Sequence, residues 1–110
     1  MAQHTVTLAR STGVQATFGP EGLAQRFGKL FTHEIQTGDA LFDEHVHVKT
    51  DTDGATIKLL DSTEVRTVIE RVVSDGGAVE IDDKTVHIEL PEGVQLEAAL
   101  VSALVEAVGR

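Results

Sequence analysis

The sequence predicts an α+β domain, an antiparallel sheet with helices packed on one of its faces. Three observations predict it. Short runs alternate apolar and polar residues at a strand period, as in Thr5-Val6-Thr7-Leu8 and Val79-Glu80-Ile81. Two longer runs, 65–73 and 96–108, repeat their apolar residues at helical spacing instead. The chain has 110 residues, which suits one core, so residues 1–110 are expected to form a single domain.

The elements follow in order along the chain. Val6 and Leu8, then Val14, Ala16 and Phe18, alternate on either side of Ser11-Thr12-Gly13. This predicts a hairpin of residues 3–10 and 13–19, ended by Gly19-Pro20. From Glu21 the period changes. Leu23, Phe27, Leu30 and Phe31 share one helical face, and Gly28 inside that helix costs about 1 kcal/mol relative to Ala. Residues 33–36 read as a brief extended segment. Thr37-Gly38-Asp39 is a tight turn, with Asp39 capping a single helical turn through Phe42. Val46 and Val48 then alternate with His45, His47 and Lys49 in a strand.

The next segment is ambiguous on its residues alone. Ala55, Ile57 and Leu59 alternate like a strand behind an Asp53-Gly54 turn, yet Asp53 also serves to cap a short helix reaching Leu60. Asp61-Ser62-Thr63-Glu64 reads as a capping box opening the helix Thr63–Ser74, on which Val65, Val68, Ile69, Val72 and Val73 make one stripe. Asp75-Gly76-Gly77 stops it, a glycine taking the left-handed position. Residues 78–90 form a hairpin around Asp82-Asp83-Lys84. Pairing Ile81 with Val86 and Val79 with Ile88 keeps the apolar residues on one face and sets Glu80 opposite His87 on a wet one. The last helix spans Gln95 to Val108. Val101 and Val105 widen its apolar stripe beyond a one-sided face.

Composition excludes several classes. Eighteen Asp and Glu against nine Lys and Arg give a net charge of −9, which repels DNA and anionic lipid, and no basic cluster offsets it. Trp, Tyr and Cys are absent. Stacked-aromatic nucleic-acid sites, disulfides, thiol nucleophiles and Cys-ligated zinc are therefore not expected. No apolar run has the length of a signal peptide's core or a membrane span. The chain reads as soluble and cytoplasmic, without direct membrane insertion.

One block looks like a signature: Gly28-Lys29-Leu30-Phe31, Ile35-Gln36-Thr37-Gly38-Asp39, Phe42-Asp43 and Val46-His47-Val48. It resembles a bacterial family of uncharacterised proteins, a domain of unknown function. A weaker likeness continues through Leu59-Leu60, Val65-Arg66, the 78–90 hairpin and the final helix. The resemblance implies a helix over Asp53–Leu60. It also implies a domain often set beside a membrane anchor or zinc-ribbon-like segment; this chain carries neither and is expected to be an isolated domain or a fragment. It brings no catalytic residues.

The function expected is a non-catalytic binding or interaction domain with a protein partner or a second copy, and no cofactor. The binding candidates are His45, His47, Glu80 and His87 on the wet sheet face; those for self-association are Val101 and Val105. Gly38, Asp39, Phe42 and Asp43 are read as a structural motif: Gly38 for a positive φ, Asp39 as a cap, Phe42 as an apolar anchor and Asp43 for bonds to nearby N–H groups. Two alternatives stand beside this reading. His45 and His47, on one strand face near Asp43, Glu44 or His87, are the right residue type for zinc, nickel or copper, although a third and fourth ligand cannot be placed, so no metal is assigned. Asp39 and Asp43, four residues apart, are the best carboxylate pair for a small acid–base enzyme, which would also need a pocket. No serine sits in a nucleophile elbow, and Gly76-Gly77 follows a helix rather than opening one, so no phosphate cradle is expected.

Overall fold

The computed structural model describes residues 2–20, 31, 33–94 and 98–108. Among them are six strands, β1 (Ala2–Thr7), β2 (Gln15–Gly19), β3 (His33–Ile35), β4 (His47–Thr50), β5 (Ala78–Asp82) and β6 (Thr85–Leu90). Four helices accompany them: α1 (Ala40–His45), α2 (Asp53–Leu60), α3 (Thr63–Ser74) and α4 (Ala98–Val108). The strands form one antiparallel sheet in the order β1-β6-β5-β2-β4-β3. The fold is α+β, and the described helices gather on one face of the sheet. The helix expected from Glu21, apart from the buried Phe31, and the first turn of the expected last helix lie outside the described residues.

One aliphatic core fills the space between the layers. Phe18, Val48, Val79, Ile81 and Ile88 supply the sheet side, and Phe42, Leu60, Val65, Ile69 and Leu104 the helix side, all at most 1% exposed. Burying each of these side chains contributes about 1.5–3 kcal/mol. The register of the β5–β6 hairpin is the one its alternation dictates, with Val79 opposite Ile88, Glu80 opposite His87 and Ile81 opposite Val86. Val101 and Val105, proposed from the sequence for self-association, are half-buried and pack against this core.

Helix ends follow local chemistry. The Asp39 carboxylate accepts from the Phe42 N–H at 3.3 Å and caps α1. The segment 53–60 is helical, and its buried Thr56 hydroxyl meets that of Thr50 at 2.9 Å while Thr50 donates to the Gln15 carbonyl at 2.8 Å. This chain of hydroxyls ties α2 to β4 and β2. At the end of α3, Gly76 has φ +88°, Gly77 N–H donates to the Val72 carbonyl and Gly76 N–H to that of Val73. That pair of bonds is a Schellman closure.

Three expectations are corrected. The strands at 2–7 and 15–19 are not a hairpin: β1 pairs with β6, and β2 lies between β5 and β4. Alternation identifies a strand and its buried face but does not choose its neighbour. The capping box is displaced. Asp61 closes α2 with helical dihedrals, so the extended N-cap of α3 is Ser62, whose hydroxyl accepts from the Val65 N–H at 3.4 Å. Finally, His45 ends α1 and the strand begins only at His47.

Candidate functional site

The four binding candidates divide between two places. His45 lies at the helix layer, where its Nδ1 is 2.9 Å from the Leu41 carbonyl and 3.8 Å from the Glu70 carboxylate of α3. It therefore shares no strand face with His47, because side-chain alternation does not run across a helix-to-strand junction. His47 is on the polar face of the sheet, 3.3 Å from Glu34. Glu80 and His87 are brought together there: Oε1 of Glu80 is 3.8 Å from Nε2 of His87, and the Thr5 hydroxyl is 3.0 Å from Nδ1.

These side chains belong to a row that crosses all six strands: Thr5, His87, Glu80, Thr17, Lys49 and Glu34 stand opposite one another in turn. The expectation of a wet face fails at its centre. Thr17 is 2% exposed and Glu80 3%, although both are polar. The alternation that puts them on the face away from the aliphatic core carries no information about whether that face is covered. Hydroxyl, imidazole and carboxylate do line up as Thr5–His87–Glu80, but the last step exceeds hydrogen-bond reach. Strands β5 and β6 are internal, so their N–H groups are spent in the ladder and leave no donor pair for an oxyanion. Among the described residues, no three His, Asp or Glu side chains come together as a metal site.

The Gly38–Asp43 corner is consumed by its own backbone. Gly38 has φ +89°. The Asp43 carboxylate accepts from the Thr37 N–H and hydroxyl, each at 2.8 Å, and from the Gly38 N–H at 3.0 Å. Asp39 caps α1 and faces the Arg66 guanidinium at 3.7 Å. Phe42 points into the core at 1% exposure. Neither carboxylate turns toward the other as an acid–base pair requires.

Sequence reasoning missed one histidine contact. His33 of β3 donates from Nδ1 to the Asp53 carboxylate, the first residue of α2, at 2.9 Å. That bond, and then the attraction of the Asp53 charge, raises the His33 pKa above the ordinary imidazole value. A raised folded-state value means that the pair stabilises the fold below the unfolded pKa and that this contribution is lost as pH rises through the folded one. Asp53→Asn is expected to return the His33 pKa toward its ordinary value in an NMR titration; an unmoved midpoint would contradict the pairing.

A pocket of about 560 Å³ opens at one end of the molecule. Arg10, Ser11 and Thr12 of the β1–β2 loop form one wall, with Val14 below them. Ala55, Lys58 and Leu59 of α2, the Ser62 cap, and Ala107 and Val108 at the end of α4 form the rest. The loop wall is pinned to the β5–β6 turn. Thr12 donates its hydroxyl to the Asp83 carbonyl at 2.6 Å, Gly13 N–H donates to the Asp83 carboxylate at 3.1 Å, and the Ser11 hydroxyl donates to the same carboxylate. Asp83 N–H returns a bond to the Val14 carbonyl at 2.7 Å. These contacts hold Asp83 at φ +53°, a left-handed conformation that costs a non-glycine residue energy. The Ser11 hydroxyl first, and the Gly13 N–H after it, hold the Asp83 carboxyl below the usual carboxylate range. The stability this contributes is present above the unfolded pKa and is lost as pH falls through the folded one.

The chain matches no protein-family model, no curated protein and no solved structure. What the pocket can do must be read from its lining. Arg10 and Lys58 supply positive charge, three hydroxyls supply polar contacts, and five small or branched apolar side chains supply a dry wall. Among the described lining residues there is no carboxylate, imidazole or thiol. The pocket can hold and orient a ligand through these cations, hydroxyls and apolar side chains. Its volume falls within the range of small-molecule sites, roughly 300–1,000 Å³.

Proposed function

We propose that the chain is a non-catalytic binding domain of the uncharacterised bacterial kind its 21–48 block resembles, working in the cytoplasm within a larger assembly. The observation that carries this reading is the pocket at the β1–β2 loop: concave, partly apolar, and lined, among the described residues, by cations and hydroxyls without a carboxylate, imidazole or thiol. The carboxylates best placed in sequence for acid–base work, Asp39 and Asp43, support it from the other side, since both are spent on turns and caps. Among the described residues no helix is long and apolar enough to cross a membrane.

The test is to incubate the protein with a panel of small organic acids, amines and neutral molecules and follow both sides by NMR. The expected result is a shift of amide resonances in the β1–β2 loop and α2 with no new ligand resonances over time. Conversion of any panel member that Arg10→Gln or Lys58→Gln abolishes would contradict a non-catalytic role.

A further inference from the structure

We infer that the pocket takes a small organic anion, a carboxylate or phosphate head carrying a short apolar tail; this rests on the binding reading above and names its ligand class. Acidic residues outnumber basic ones two to one, eighteen against nine, so an anion is held only where cations gather locally. Arg66 and Arg71 are engaged within the fold, lying 3.7 Å from Asp39 and 3.6 Å from Asp75. Arg10, Lys49, Lys58 and Lys84 form no such pair among the described residues. Of these, Arg10 and Lys58 line one pocket together, one from the β1–β2 loop and one from α2.

No described lining residue carries a negative side chain to offset them. The Asp83 carboxylate, which is bonded to the pocket wall, is occupied by the Ser11 hydroxyl and the Gly13 N–H. Helix ends do not decide the sign either. The start of α3 at Ser62 presents a positive dipole end, while the ends of α2 and α4 present negative ones. Selectivity for an anion therefore resides in the two side chains. The guanidinium offers a planar fork of donors to a carboxylate or phosphate, and the ammonium adds a point charge.

Size and polarity specify the rest. A bare inorganic anion would leave the half-buried Ala55, Leu59 and Ala107 against water in a pocket of about 560 Å³. An apolar tail of several carbons covers them, at about 0.8 kcal/mol per buried methylene, a factor of about four in affinity for each. The loop wall is pinned at Asp83, which fixes the backbone two residues beyond Arg10.

Octanoate, 1-octanol and inorganic phosphate separate the contributions, titrated into the isotope-labelled full chain at low salt. Octanoate is expected to shift resonances of the β1–β2 loop, α2 and the end of α4, and to bind more tightly than either of the other two. Because Arg10 and Lys58 are exposed, each is worth about fivefold at most. Arg10→Gln and Lys58→Gln should each weaken octanoate by up to that factor and the double variant by about their product, with unchanged thermal midpoints and with little effect on octanol. Added salt should reproduce the loss. Octanol binding as tightly as octanoate, or a double variant binding like the unmodified chain, overturns the anion while leaving the pocket a binding site. Phosphate binding as tightly as octanoate overturns the apolar tail. If no probe moves any pocket resonance, both this inference and the proposed function fall.

Discussion

Gly77→Ala is expected to destabilise the fold by about 3 kcal/mol, the upper part of the usual range for forcing an atom into a packed interior. Gly77 does not need its glycine for φ; it needs it for space. A methyl group there would fall on the carbonyl oxygen of Glu89 and lie 2.8 Å from Leu90 Cδ2 and 3.0 Å from Val72 Cγ1. The Leu90 and Val72 side chains have some freedom to move. The carbonyl does not, because it belongs to β6, an internal strand paired on both sides. The same residue closes α3 through its N–H to Val72. Backbone displacement would therefore disturb the helix end and the β5–β6 hairpin together. Urea unfolding should show a lower midpoint with an unchanged slope. A loss below about 1 kcal/mol would mean that the close approach of α3's end to β6 is wrong.

Phe42→Ala is expected to cost about 4 kcal/mol, as large-to-small changes at fully buried aromatic positions usually do. Phe42 is 1% exposed and is the only buried side chain of the six-residue helix α1. A helix this short does not hold itself by propensity, and beside the Asp39 cap and the Asp43 bonds to Thr37 and Gly38 this ring is its one anchor in the core. Removing the ring opens a cavity beside α3 and frees α1, and with it the Gly38–Asp43 corner. Phe42→Leu should retain most of the stability, since much of the buried apolar volume survives. If Phe42→Ala proved harmless to unfolding yet abolished ligand binding, the corner would be a functional site rather than a structural one.

The parts of the fold that were legible in the sequence are those whose period leaves no choice. Val65, Val68, Ile69, Val72 and Val73 fit only a helix, and Asp75-Gly76-Gly77 ends it where the structure does. The β5–β6 register follows because only one pairing keeps Val79, Ile81, Val86 and Ile88 on a common face. Neighbour choice was not legible. β1 and β2 look like a hairpin by spacing, yet the residues between them carry the chain across the β5–β6 turn, and the bonds from Ser11, Thr12 and Gly13 to Asp83 show how. Burial of the polar face was hidden too: a Thr17 or Glu80 enclosed at 2–3% exposure has the same letters in sequence as an exposed one.

The candidate site was less legible than the fold. Of the four polar candidates, only Glu80 and His87 meet, because they lie in one hairpin whose register could be read. His45 and His47 were separated by a helix boundary, the feature sequence fixes least well. The pocket could not be seen at all. Its wall comes from residues 10–14, 55–62 and 107–108, which share no motif and meet only through the sheet order. Arg10 and Lys58 are unremarkable surface cations until that order brings them to one cavity.

The most direct measurement is where a bound anion sits. In a saturated octanoate complex, contacts between the ligand's chain protons and protein methyl groups can be read as intermolecular nuclear Overhauser effects. Contacts to Leu59 and Val108 are expected, and none to Thr5 or Thr17 of the polar face. Contacts to Thr5, Thr17 or their neighbours in that row, with Leu59 and Val108 silent, would contradict it.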